Sequence, residues 1–123
     1  MCFSAGASFG AAVMLTAVGI AAMKKVESRR LMPFAAIPLL FATQQFAEGS
    51  IWLSSTNSIP HGFQQHAVYV FLIFAQVIWP AWVPISIWLI EPRGKRRAIL
   101  LALAAAGVIL TLYNTFCLIN YPV

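Results

Sequence analysis

Acidic side chains are almost missing from this chain: only Glu27, Glu48 and Glu91 occur among 123 residues. Charge of either sign is scarce, at 9% of residues against roughly a quarter in soluble domains. Together with 61% hydrophobic residues and a mean hydropathy of +0.83, this excludes a soluble globular domain of this size. Lysine and arginine are absent from both termini and from the stretch Ser54 to Gln65. No basic residue precedes the first apolar run and no small-residue cleavage site follows a short one, which excludes an ordinary secretory signal, so that run is expected to be retained. With two cysteines and two histidines, the chain has neither Cys-x-x-Cys nor His-x-x-x-His, so no compact metal-binding motif is present.

What remains is apolar sequence in runs of about 20 residues, the length that crosses a hydrocarbon core. Four are present, Phe3 to Met23, Leu31 to Leu53, Ala67 to Ile90 and Ala98 to Ile119, with little left over for any soluble domain. The expected fold is therefore all-α, an integral membrane four-helix bundle in a single transmembrane domain over residues 1–123. All eight basic residues fall in two segments, Lys24, Lys25, Arg29 and Arg30 after the first run, and Arg93, Lys95, Arg96 and Arg97 after the third. The positive-inside rule makes both loops cytoplasmic and both termini extracytoplasmic, in a multi-pass protein of the plasma membrane. This strong asymmetry argues against the antiparallel dual-topology dimers of small four-helix multidrug exporters. The net charge of +5 lies beside lipid headgroups rather than on a nucleic-acid footprint, so the bilayer, not nucleic acid, is the expected partner.

Small residues at helical spacing, Gly6 and Gly10 with Ala17 and Ala21, and Ala102 with Ala106, suggest close-packing faces on the first and last runs. Pro38 is expected to bend the second run, while Pro33 is tolerated in a first turn. In the third run Pro80 and Pro84 leave the carbonyls of Gln76 and Pro80 without their helical donors. Gln76 thus offers an amide and a freed carbonyl near mid-membrane, where a neighbouring helix or water can satisfy it. Trp79 and Trp82 lie beside this kink, and either line a ligand pocket or fill the space it opens.

Glu48 is the one acid outside the basic loops, and an ionisable residue inside a membrane run is a functional-site hypothesis by default. It lies about seventeen residues beyond Leu31, which at ~1.5 Å per residue places it in the outer third of the bilayer. Gln44, Gln45 and Trp52 share its helix face. Other polar residues reach the same level: Cys2, Ser4 and Ser8 in the first run, His66 with Gln64 and Gln65 in the third, and Asn114, Thr115, Cys117 and Asn120 in the fourth. A polar outer half over an apolar inner half suits a pocket open to the outside better than a channel or transporter, which needs a path across the full thickness.

Several chemistries are open to this set. Glu48, His66 and Cys2 are ligand types for a transition metal ion, with His61 as a fourth. Glu48 could instead be protonated and hydrogen-bonded to the glutamines, or exchange a proton with His66. A hydrolase would draw its nucleophile from Ser4, Ser8 or Cys2, with His66 as base and Glu48 orienting it, although no spacing fixes that geometry. Cys2 and Cys117 both lie at outer helix ends, where a disulfide could form, and such a bond would remove Cys2 from any metal site.

The opening Met1-Cys2-Phe3-Ser4-Ala5, and Pro38-Leu39-Leu40-Phe41 followed by Gln44-Gln45-x-x-Glu48-Gly49-x-x-Trp52, resemble a family of uncharacterised bacterial multi-pass membrane proteins. The likeness covers mainly the stretch up to Trp52. It implies a membrane location and marks Cys2, Gln44, Gln45 and Glu48 as motif residues, but it carries no substrate or activity. The expected function is binding of a small ligand, proton or metal ion at Glu48, Gln44, Gln45, His66 and Gln76. Whether chemistry follows, as in an enzyme, is left open. The alternative is an accessory or structural subunit, docking onto another membrane protein or a second copy of itself, and a small transporter or channel comes third.

Overall fold

The computed structural model describes residues 4–56 and 61–121, and every element among them is helical. In order these are α1 (Ala5–Lys24), α2 (Met32–Ala35), α3 (Ile37–Ser55), α4 (His61–Leu72), a π-helical segment (Ile73–Ile78), α5 (Trp79–Ile90) and α6 (Lys95–Asn120). Among the described residues three helices are long and apolar enough to cross a membrane: Ala5–Lys24, Gly62–Ile90 and Lys95–Asn120. The expected second span differs. It is not one bent helix over 31–53 but a single turn followed by a break at Ala36 and a restart at Ile37. Pro38 has no N–H to offer the Phe34 carbonyl, so the first helix cannot propagate through it, yet it fits the first turn of a new helix, where that donor would be idle. The 19 residues of α3 still span ~28 Å, but Gln44, Gln45, Glu48 and four hydroxyl residues dilute their apolar character.

By its internal contacts the chain divides into two units, one of α1, α3 and α4, the other of α2, the π-helical segment, α5 and α6. In the first, Ser4 caps α1: its backbone is extended and its Oγ accepts from the Ala7 N–H at 3.2 Å. The helix ends among basic residues, with Lys24 in its last turn, where the C-terminal dipole favours positive charge. α1 packs antiparallel on α3, since Gly19 meets Leu39 near one end and Phe9 lies under Gly49 near the other. The Phe9 and Phe46 rings meet at 6.0 Å between centroids, tilted by 52°.

The buried stripe of α1 is Ser8, Ala12 and Gly19. Gly6, Gly10, Ala17 and Ala21, the spacing expected to pack, are exposed, and a Cβ added at Gly6 or Gly10 would meet nothing within 4 Å. The same shift occurs on α6, where Ala104 and Gly107 are buried and Ala102 and Ala106 are exposed. Small residues bring helix backbones together as anticipated, but a different phase of each helix does so.

The apolar core is built of alanines, Ala12, Ala42, Ala47, Ala67 and Ala104, while large apolar side chains such as Met14, Ile109 and Ile119 are 66–74% exposed. This reverses the pattern of a water-soluble domain, whose large apolar residues lie inside. Polar groups go inward instead: Ser54 and Ser86 are buried, their hydroxyls turned back to the carbonyls of Ser50 and Trp82.

In the second unit the prolines of α5 set the packing. Pro80 cannot donate to Gln76, and the turn before it widens into the π-helical segment. Side chains of α6 reach carbonyls of this segment: Asn114 Nδ2 donates to Gln76 O, the one freed by Pro80, at 2.9 Å, and Thr111 Oγ1 to the adjacent Val77 O at 2.7 Å. One turn before Thr111, Gly107 lies against Pro80 O, the carbonyl orphaned by Pro84. Trp82 fills space beside the kink, with its Nε1 donating to Pro33 O at 2.9 Å, which ties α2 to α5. It also borders a cavity of about 320 Å3 between those two elements, with Pro33, Val77 and Ile85.

Candidate functional site around Glu48

Glu48 sits near the middle of α3 and is 8% exposed, as is Gln44 one turn earlier. Burial of both follows from helical phase: residues four apart differ by about 40° around the axis, so one covered stripe takes both. Gln45 is only partly covered, and its Nε2 donates to Glu48 Oε2 at 3.0 Å. That bond is intrahelical, between residues three apart, and needs no second helix to form. Trp52, one turn beyond Glu48 on the same stripe, is 38% exposed.

Ser8 of α1 lies at the same depth. The antiparallel register that sets Phe9 against Gly49 puts Ser8 within a turn of Glu48 in height. Its side chain is fully buried, and its Oγ has no hydrogen-bond partner among the described residues. Helical serines commonly return the hydroxyl to a carbonyl one turn back, as Ser54 and Ser86 do here, so Ser8 is an exception.

His66 is exposed on α4, and its Nδ1 lies 2.8 Å from Gly62 O. A carbonyl only accepts, so Nδ1 is the donor in this contact. The ring borders an apolar groove of about 280 Å3 shared with Thr43, Phe46, Ala47 and Ser50 of α3. Those four residues form one face of α3, and Glu48, five positions after Thr43, is turned about 140° away from it. The fold therefore brings Glu48 together with Gln45 on one covered side of α3, and His66 to a different side.

Gln76 belongs to the second unit, where it is exposed and its carbonyl is held by Asn114. Cys117 is a free, half-buried thiol on α6. Cys2 lies outside the described residues, and so does the side chain of His61; the expected disulfide and the third metal ligand both fall on Cys2. Among the described residues no three His, Cys, Asp or Glu side chains come together in a way that could hold a metal ion.

Two features of this geometry were not named from the sequence. The unsatisfied state of Ser8 depends on which face of α1 turns inward, and no periodic apolar stripe marks that face. The pairing of Thr111 and Asn114 with the kinked helix carried a partial signal, because prolines at 80 and 84 announce orphaned carbonyls and polar residues in a membrane helix seek partners.

No curated protein and no solved structure matches this chain. The resemblance noted in the sequence rests mainly on the stretch up to Trp52, whereas a family model described as a family of unknown function (DUF6629) matches residues 1–123. Matched along its whole length, the chain belongs to that family.

Proposed function

We propose that this chain is a plasma-membrane protein that crosses the bilayer four times, with both termini outside and both basic loops in the cytoplasm. In this reading α3 is the second crossing, and Glu48 forms an outer-leaflet site that takes up a proton or a small hydrogen-bonding ligand. The observation that carries it is a carboxyl group only 8% exposed, on a helix of candidate spanning length, gripped by the neighbouring Gln45 amide. A carboxyl so placed is costly to keep unless it is used. The hydroxyl of Ser8 at the same depth, without a partner among the described residues, supplies a further polar group for a bound species, beside the buried Gln44. A metal ion draws less support, since His66 borders a face of α3 turned away from Glu48.

Infrared difference spectroscopy on the protein in lipid tests this site. A carboxyl stretch that vanishes in Glu48→Gln, titrates with pH and shifts in Gln45→Leu is the expected result. A Glu48 signal indifferent to pH and to Gln45 would end the proposal.

A second reading, as an accessory subunit or homo-oligomer, draws on the outward stripe of Gly6, Gly10, Ala17 and Ala21, which has open space before Gly6 and Gly10. Such a stripe permits close approach of another helix. Isolation in mild detergent separates the two readings: a stoichiometric partner or second copy, lost in Gly10→Leu, favours docking, and a monomer that retains the Glu48 signal favours the site.

A further inference from the structure

We infer that the basic end of the second unit binds one anionic phospholipid of the cytoplasmic leaflet, with its phosphate on Arg93 and Arg97 and an acyl chain along the groove between α5 and α6. This rests on the membrane reading above and is independent of Glu48. Three hollows adjoin through shared residues. The first, about 450 Å3, is bordered by Ser28, Arg30, Leu31, Glu91, Arg93 and Arg97. The second, about 280 Å3, shares Arg93 and Arg97 with it and adds Trp88, Gly94 and Leu101. The third, about 490 Å3, shares Trp88 and Leu101 with the second and continues as a wholly apolar furrow along Ile85, Ala104, Ala105 and Val108.

Charge and shape select the occupant. Three arginines against one carboxylate at the polar end favour an anion, and Arg matches phosphate geometry with paired donors. Arg97 is already positioned: one of its guanidinium nitrogens donates to Glu91 O at 2.9 Å, and the group stacks over the Trp88 ring at 4.7 Å. Most of its five N–H groups remain for a ligand. Below it, the small side chains of Ala104 and Ala105 open the furrow. A polar anion site that leads without interruption into an apolar furrow has the amphipathic form of a phospholipid; a free phosphate would leave the furrow without purpose. Trp88, which borders both the second and third hollows, also has an Nε1 shielded from solvent with no acceptor among the described residues.

The test compares lipid retained by the purified full-length protein, measured by native mass spectrometry after exchange with phosphatidylglycerol or phosphatidylcholine. Selective retention of phosphatidylglycerol is expected. Arg93→Gln with Arg97→Gln should weaken it by at least about tenfold, the loss of one charge-assisted hydrogen bond, whereas Lys95→Gln with Arg96→Gln, the same charge change outside the three hollows, should cost at most a few-fold. Ala105→Phe should fill the furrow and lower retention of long-chain lipid. If the double arginine variant does not fold, Arg93→Gln alone carries the comparison, because Arg93 is exposed. Equal loss in the two charge pairs would overturn the site in favour of diffuse surface attraction. Displacement of lipid by inorganic phosphate, with Ala105→Phe silent, would overturn it in favour of a free anion. Release of the chain from membranes by alkaline carbonate would instead end the membrane reading, so the two failures are distinguishable.

Discussion

Gly107 of α6 lies so close to the carbonyl oxygen of Pro80 that a methyl group there would overlap it. That carbonyl is the one Pro84 cannot serve, and the bare α-carbon of Gly107 is what lets the α6 backbone cover it. Gly107→Ala should therefore force the helices apart and destabilise the protein by about 1–3 kcal/mol, measured by reversible unfolding in detergent. Gly10→Ala, at an exposed position with open space before it, should change stability by less than about 0.5 kcal/mol.

Thr111 and Asn114 continue the same stripe of α6, donating to Val77 and Gln76. Thr111→Val keeps the shape and removes the donor, and buried bonds between membrane helices are worth ~0.6 kcal/mol each, at most ~1.7 kcal/mol. Loss of stability in that range is expected, together with faster amide exchange near the π-helical segment. Combined with Asn114→Leu, the two effects should not add, because both bonds hold adjacent carbonyls of one distorted turn.

How much of this was legible follows from whether an effect is local. Pro80 and Pro84 orphan particular carbonyls by covalent structure alone, so Gln76 and Pro80 could be named from the chain. Gln45 and Glu48, three apart on one helix, could likewise be paired. The partners Gly107, Thr111 and Asn114 could not, because they depend on how α6 is rotated against α5. Rotation also explains the small-residue faces: spacing picks out Gly6 and Gly10 as readily as Ser8, Ala12 and Gly19, and only packing decides between them. His66 fails to join Glu48 for the same reason, since depth was countable along each helix but azimuth was not. In the second run Pro38 was expected to bend a helix that in fact ends and restarts, because Pro38 cannot donate to the Phe34 carbonyl but fits the first turn of a new helix.

The contact of Phe9 with Gly49 is a second place where a missing side chain sets a helix separation. A Cβ on Gly49 would come within 2.9 Å of the Phe9 ring. Gly49→Ala should cost about 1–3 kcal/mol, and part of that loss should be recovered when Phe9→Leu opens space. A coupling of ~0.5 kcal/mol or more between the two substitutions is expected from residues in direct contact. Strict additivity in detergent unfolding would show that Gly49 acts through something other than Phe9.

Ser8 separates folding from function most sharply. A buried hydroxyl without a partner costs about 1–3 kcal/mol, so Ser8→Ala should leave stability unchanged or raise it by ~1 kcal/mol. Ser86→Ala, which removes the hydroxyl bonded to Trp82 O at 2.6 Å, should lower it by about 0.5–1.5 kcal/mol. Opposite signs for two fully buried serines would identify Ser8 as a group kept for something other than folding. If that use is the Glu48 site at the same depth, Ser8→Ala should also alter the Glu48 carboxyl band in infrared difference spectra, and Ser86→Ala should not. Ser8→Ala that destabilises as much as Ser86→Ala would mean that the hydroxyl already has a structural partner, and would remove it from the site.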